Sequence, residues 1–217
     1  MKQALECLSD EEAMCLVQRG DMEAFAVLAH RYEPKLLNFL YRFVGNAAQA
    51  EDLVQATLLK VYRFRGRFRG SGRFSTWLYT IAANVARDYL RKTKKYRFVS
   101  LDTPVGENSN IIDFFEAEGE SAAQRAERKE MARIVRLAIL RLPREQRLAI
   151  VLSHYENLGY DEIARVLKCS KGTIKSRVFR AKMKLKEFLA DYMAGKEVAK
   201  KDELQESDTT TASLFGP

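Results

Sequence analysis

The chain has 217 residues, 47% of them hydrophobic, and a formal net charge of +8, which is enough for two compact domains and hints at a polyanionic partner. No apolar run approaches the roughly 18 residues a membrane span needs, and Met1 to Asp10 lacks the apolar stretch of a signal peptide, so a cytosolic protein with no membrane insertion is expected. Cys7, Cys15 and Cys169 match no zinc pattern and neither His30 nor His154 stands at ligand spacing from them, so no metal and no cofactor is expected.

Almost everything reads as helix. Ser9 or Asp10 can cap a short helix ending before Gly20. A second begins near Asp21, with Phe25, Leu28, Tyr32, Leu36, Phe39, Leu40 and Phe43 at helical spacing. Pro34 inside it predicts a kink or a break, and Gly45-Asn46 ends it. A third helix runs from about Ala48 to Phe64. A loop with Gly66, Gly70 and Gly72 follows, and Ser75 caps a fourth helix from Thr76 to about Lys92. Residues 99–121 carry Pro104, Gly106 and Asn108 and read as an acidic, flexible interdomain linker, although Ile111, Ile112, Phe114 and Phe115 are unusual for a solvated tether. A second helical domain spans residues 122–190, with helices near 122–141, 143–156, 160–167 and 171–190. Residues 191–217 read as a disordered tail. The expected fold class is all-α: two small helical domains, 1–98 and 122–190, joined by a flexible linker.

Tyr160 to Lys186 reads as a helix-turn-helix. Ile163, Ala164 and Leu167 form the inner face of the first helix, and Lys168-Cys169-Ser170 the turn. Ile174, Val178, Ala181 and Leu185 form the apolar stripe of the second. Opposite that stripe lie Lys175, Ser176, Phe179 and Lys182, flanked by Arg177 and Arg180, side chains that suit base edges, phosphates and a thymine methyl.

Charge in the first domain is packed into a block. From Lys60 to Phe98 there are 12 basic residues against one acid, Asp88. Within it, YRFRGRFRGSGRFSTW (62–77) alternates arginines with aromatic rings. Arginines attract a phosphate chain and ring faces stack on unpaired bases, so this pattern suits single-stranded DNA. Asn84, Arg87 and Arg91 on the following helix extend that surface. Upstream, Glu51, Asp52 and Gln55 form an acidic face that DNA would not choose and a basic protein surface could. Neither a carboxylate cluster nor a phosphate loop supports an enzyme.

AEDLVQATLLKVYRF and FRGSGRFSTWLYTIAANVARDYL resemble regions two-one to two-four of bacterial extracytoplasmic-function sigma factors, and LPREQRLAIVLSHYENLGYDEIARVLKCSKGTIKSRVFRAKMKL resembles their region four. The resemblance implies a promoter-specificity factor for RNA polymerase core that has no catalytic residues of its own. It places Asp52, Leu53 and Gln55 on the β′ clamp helices and the second domain on the β flap. It implies that Phe68, Arg69, Arg73, Phe74, Trp77, Asn84 and Arg87 melt and read the minus-ten element. Lys175, Ser176, Arg177, Phe179, Arg180 and Lys182 would read the minus-thirty-five element as duplex. An anti-sigma partner is also implied. Ala56, where many relatives carry Glu, and Gly72-Arg73 in the loop depart from the pattern. The competing reading is a helix-turn-helix regulator that binds duplex DNA without polymerase.

Overall fold

A computed structural model describes Leu5 and residues 7–70, 72–94 and 121–212, with side chains placed through 92 in the first domain and 194 in the second. The linker expectation, including Ile111 to Phe115, falls almost wholly outside the described residues. Within them the chain is helical with no strand, the expected class.

Helix α1, Asp10–Gln18, starts on a capping box: the Glu12 amide donates to Ser9 Oγ at 3.2 Å and the Ser9 amide to Glu12 Oε2 at 2.9 Å. The Ser9 hydroxyl, which also donates to Glu12 Oε2 at 2.7 Å, and the Ser9 amide together hold the Glu12 carboxyl below its usual value. Gly20, at φ 97°, turns the chain into α2, Met22–Val44, capped by Asp21. This helix runs through Pro34 without a break. Pro34 is exposed, so water can take up the carbonyl it leaves unpaired. Gly45 ends the helix at φ 81°, where a side chain would be strained.

Helix α3, Ala47–Arg63, buries Leu53, Val54, Thr57 and Val61, and the Thr57 hydroxyl donates to the Leu53 carbonyl at 2.7 Å. After a 3-10 turn at Arg65–Arg67, α4 covers Phe74–Lys94. It begins one residue before the expected cap, Ser75. Its first amide, at Phe74, donates instead to Glu11 Oε1 of α1 at 2.8 Å, a cap delivered by tertiary structure that no local pattern could announce. Met14, Leu28, Leu36, Phe39, Leu40, Phe43, Phe74 and Leu78 are fully buried, each large apolar side chain contributing roughly 1.5–3 kcal/mol.

In the second domain, α5 (Ala122–Arg141) starts on a Ser121–Gln124 capping box. Pro143 sits at the N-cap of α6, Arg144–His154, one residue outside the expected position. Helix α7, Tyr160–Leu167, and α8, Lys171–Ala212, form the helix-turn-helix. Lys168 adopts the left-handed conformation at φ 53°, and Ser170 Oγ accepts the Thr173 amide at 3.1 Å. Ile163, Val166, Leu167, Ile174, Val178 and Ala181 are buried between the two.

One expectation is corrected: α8 continues to Ala212, across most of the stretch read as a disordered tail from 191. Past Ala190 it is anchored by the Tyr192 hydroxyl, which donates to Glu130 Oε1 at 3.0 Å. The Arg141 guanidinium also lies 4.5 Å from the Phe188 ring centroid. Alanine, lysine and glutamate between 196 and 206 favour helix, although Gly195 and Ser207 to Thr211 do not.

The two domains are packed together, α2 against α5 and α6, and α4 against α7. Arg147 of α6 donates to the Phe43 carbonyl at 2.6 Å and to the carbonyls of Leu140 and Leu142. It thereby closes the free C-terminal ends of α2 and α5. Leu140 covers Gly45, where an added Cβ would lie 2.7 Å from Leu140 Cδ1.

Candidate nucleic-acid interface

Helix α8 turns its apolar stripe inward, so the opposite face must meet solvent. Lys175, Ser176, Arg180 and Lys182 are exposed there, and Phe179 is 65% exposed. The α7–turn–α8 arrangement fixes these side chains on a rigid helix, the geometry that enters a major groove. Arg177 departs from the expectation. It is half-buried and swings back, 3.1 Å from Glu145 and 3.6 Å from Cys169 Sγ.

The Arg/aromatic loop is held from beneath. Gln18 Nε2 donates to the carbonyls of Arg65 and Phe68 at 2.8 and 2.7 Å. Phe68 and Phe74, expected at the melting surface, are core residues, 6% and 1% exposed. Their rings meet near-perpendicularly with centroids 6.0 Å apart, and Phe68 backs Trp77 at 5.5 Å. Alternation with arginine conceals this, because it does not tell which rings turn inward: Phe68 and Phe74 are buried, while Tyr62, Phe64 and Trp77 are half-buried. The two phenylalanines shape the surface and do not offer their faces to a base.

What the loop and α4 do offer is a pocket lined by Lys60, Phe64, Arg67, Trp77, Ile81 and Asn84. Cation, ring and amide meet there as an unstacked base requires. Of these only Trp77 and Asn84 were expected. Lys60, Phe64, Arg67 and Ile81 were visible as part of the basic-aromatic block, but nothing in their spacing said that α3, the 3-10 turn and α4 converge. Arg69 and Arg73 are exposed beside the pocket's loop.

Helix α3 presents Glu51, Asp52 and Gln55 outward. Leu53, placed on the same contact by the resemblance, is 8% exposed and belongs to the core, three residues from Ala50 and four from Thr57 on the buried face of the helix. Leu59, 71% exposed, shares the outer face with Asp52 and Gln55, Gln55 and Leu59 lying three and seven residues along the helix from Asp52, and was not singled out by the sequence reading.

Two independent segments match known families: residues 28–96 match Sigma-70 region 2, and residues 132–185 match Sigma-70, region 4. The chain is 36% identical over 177 residues to the RNA polymerase sigma-H factor of Pseudomonas aeruginosa, covering 80% of this chain and 90% of that one. It is also 36% identical over 187 residues to the ECF RNA polymerase sigma-E factor of Escherichia coli K12, covering 82% and 92%. The chain belongs to the extracytoplasmic-function sigma factors. The pairing of both regions in order decides against a helix-turn-helix regulator that works without polymerase.

Solved sigma structures share the architecture. CnrH in complex with the cytosolic domain of CnrY is similar at TM-score 0.62 and 25% identity, over 84% of this chain and 97% of that one. The sigma factor RpoE with the anti-sigma factor NepR from Bartonella quintana is similar at 0.56 and 28%, over 72% and 91%. In the present sigma factor, the region 2 match runs from residue 28 in α2 through α3 and α4, and the region 4 match from residue 132 in α5 to residue 185 in α8. Among the described residues no group of His, Cys, Asp and Glu could hold a metal ion, and no helix is long and apolar enough to cross a membrane.

The domain contact involves three of the arginines expected to meet DNA, Arg73, Arg87 and Arg177. Arg87 of α4 makes a two-pronged contact with Glu145 of α6, Nε to Oε1 at 3.2 Å and Nη2 to Oε2 at 2.9 Å. The Thr76 hydroxyl donates to Glu162 Oε1 at 3.3 Å, and Arg73 Nη1 lies 3.6 Å from the same oxygen. The Tyr79 hydroxyl donates to Glu156. Burial raises the pKa of Glu156, opposed by the Tyr79 hydrogen bond and the charges of Arg42 and Lys35. It raises that of Tyr79 too, reinforced by Glu156, so the tyrosine keeps its proton and donates it.

Proposed function

We propose that this sigma factor directs polymerase core to promoters by reading duplex DNA with Lys175, Ser176, Phe179, Arg180 and Lys182 of α8. It captures an opened base in the pocket of Trp77, Asn84, Lys60, Phe64 and Arg67. The observation that carries this reading is the presence on one chain of two cationic surfaces with different chemistry. One is a rigid helix face suited to paired DNA, and the other a ring-lined pocket suited to an unstacked base. Arg69, Arg73 and Arg87 supply phosphate contacts. Trapping the base offsets a melting cost of a few kcal/mol.

Asp52, Gln55 and Leu59 form the surface that grips the β′ clamp helices, acids outward against a basic partner, while region 4 meets the β flap. The linker expected at 99–121 joins the two halves and raises the effective concentration of the second contact. The chemistry of RNA synthesis belongs to the polymerase in the cytoplasm, and this chain supplies no catalytic group or cofactor. The sigma factor is also held by an anti-sigma factor, as the solved RpoE relative is by NepR.

The test is transcription in vitro with purified core and a promoter pool read by sequencing. The expected outcome is initiation from a subset of templates sharing two elements at one spacing. Initiation from none would refute the reading.

A further inference from the structure

The loop beside the base pocket is pinned by the buried rings of Phe68 and Phe74 but is otherwise loosely packed. An added Cβ at Gly66, Gly70 or Gly72 would meet nothing within 4 Å, so no close neighbour fixes the backbone there, and each glycine adds conformational freedom. Yet Arg67, which lines the pocket with Trp77 and Asn84, must stand in one place if the pocket is to tell one base from another. The restraint comes from α1. Gln18 Nε2 donates to the carbonyls of Arg65 and Phe68 at 2.8 and 2.7 Å, one on each side of Arg67. Glu11 Oε1 accepts the Phe74 amide at 2.8 Å and so closes the first turn of α4, the turn that leads into Trp77. Glu11 and Gln18 are seven residues apart, two helical turns, so both project from one side of α1. The helix itself is fixed. Ala13, Met14 and Val17 are buried, and the Asp10 carboxylate accepts hydrogen bonds from Arg31 of α2 at 2.8 Å and from the Tyr32 hydroxyl.

We infer that Gln18 and Glu11 are positioning residues for base recognition: they brace the two ends of the Arg/aromatic loop, and through it they set how sharply the pocket discriminates among unstacked bases. The inference rests on the pocket reading and deepens it. It gives α1, which lies outside the region 2 match beginning at residue 28, a part in choosing the promoter with no DNA contact of its own. An amide is suited to the task. Its two N–H donors on one nitrogen reach two carbonyls at once. Being uncharged, it is not drawn to the phosphates that the neighbouring arginines attract.

The test uses holoenzyme assembled from purified core and the full chain, with short single strands of random sequence as the probe. Strands retained by each holoenzyme are sequenced, and the enrichment ratio between the best and the worst base is taken at each position. Wild type is expected to show a sharply selected position, and Trp77→Ala to lose it. Gln18→Met fills the same space without donors, and Gln18→Glu keeps the shape but turns acceptors on two carbonyls. Both are expected to lower the ratio at that position about three- to tenfold, as loss of two hydrogen bonds allows, with core binding unchanged. Glu11→Gln keeps an acceptor for the Phe74 amide and should stay within about twofold of wild type, whereas Glu11→Met should fall with the Gln18 variants.

Leu40→Val separates bracing from stability. It loosens the buried core of α2, so it is expected to lower the melting temperature and leave the ratio unchanged. A ratio kept in both Gln18 variants would overturn the brace, as would an equal loss in Leu40→Val. Absence of any selected position in wild type would instead refute the pocket reading, and the brace with it.

Discussion

Arg180 stands exposed on the outer face of α8, one turn beyond Arg177, whose guanidinium is held by Glu145. Neighbouring arginines of one helix thus face different partners, and only the outer one is free to meet DNA without a change in the domain arrangement. Arg180→Ala is expected to cost about 1–3 kcal/mol of upstream-element binding if the contact is to a base edge. If it is to a phosphate, the change lowers the salt slope by about one ion. Electrophoretic shifts on a selected upstream element, repeated across salt concentrations, separate the two.

Trp77 belongs to the other chemistry. Its ring is half-buried on Phe68 and Phe74 and closes the Asn84 pocket. Trp77→Ala removes a stacking surface worth about 1–3 kcal/mol per base and should leave duplex binding by α8 near normal. Permanganate reactivity of the opened region should drop, and normal reactivity would count against the pocket.

At the scale of elements, the helices were legible because their signals are local. Ser9, Asp21, Asn46, Ser121 and Ser170 all accept an N-terminal amide in the structure, and the Ile174–Val178–Ala181 stripe is buried as its spacing implied. The start of α4 was misplaced because its cap, Glu11, comes from 63 residues away. The persistence of α2 through Pro34 depends on which face of the helix is wet. The extension of α8 depends on Glu130 reaching Tyr192. For the site, the outward face of α8 was readable from periodicity alone. The loop was not. Period-two alternation of arginine and aromatic names the chemistry but cannot say which rings go inward, and Phe68 and Phe74 went to the core while Phe64 joined the pocket. Spacing buries Leu53, as the structure does; its place on the polymerase contact came from the resemblance alone, and nothing in the spacing singled out Leu59, which is 71% exposed.

At the scale of the whole molecule, the least legible feature was the closed arrangement. Glu145, Glu156 and Glu162 look like ordinary first-turn and surface acids in sequence, and their meaning comes from α4 lying opposite them. The basic excess of region 2 is thereby partly neutralised from within, and the +8 of the chain overstates the field a passing DNA meets while the domains are together. Arg147, Arg42 and Arg136 add a second seam. Arg147 serves the helix ends, Arg42 lies over the Tyr155 ring at 3.9 Å, and Arg136 over Tyr41 at 5.1 Å. The Arg42 and Arg136 contacts lay guanidinium groups over rings, whereas parting the domains at Arg147 also breaks its hydrogen bond to the Phe43 carbonyl.

Glu156 sets how that seam responds to pH. Desolvation raises its pKa above 4.5 despite Tyr79, Arg42 and Lys35, so the folded, closed chain keeps a proton that the unfolded chain has already released. Its contribution to stability is therefore fully present below about pH 4.5 and is lost as the pH rises through the raised folded value. Glu156→Gln keeps an acceptor for the Tyr79 hydroxyl and carries no charge to desolvate. The variant should melt at a higher temperature than wild type at neutral pH, and the gap should close as the pH falls. Glu12, whose pKa is lowered, loses stability toward acid instead, but equally in both proteins, so the difference between their melting curves isolates Glu156. Circular dichroism melts of the pair across that range check the sign. A gap that does not change with pH, or a variant less stable than wild type at neutral pH, would mean that the carboxylate is ionised in the seam at no cost and that Arg42 and Lys35 outweigh its burial.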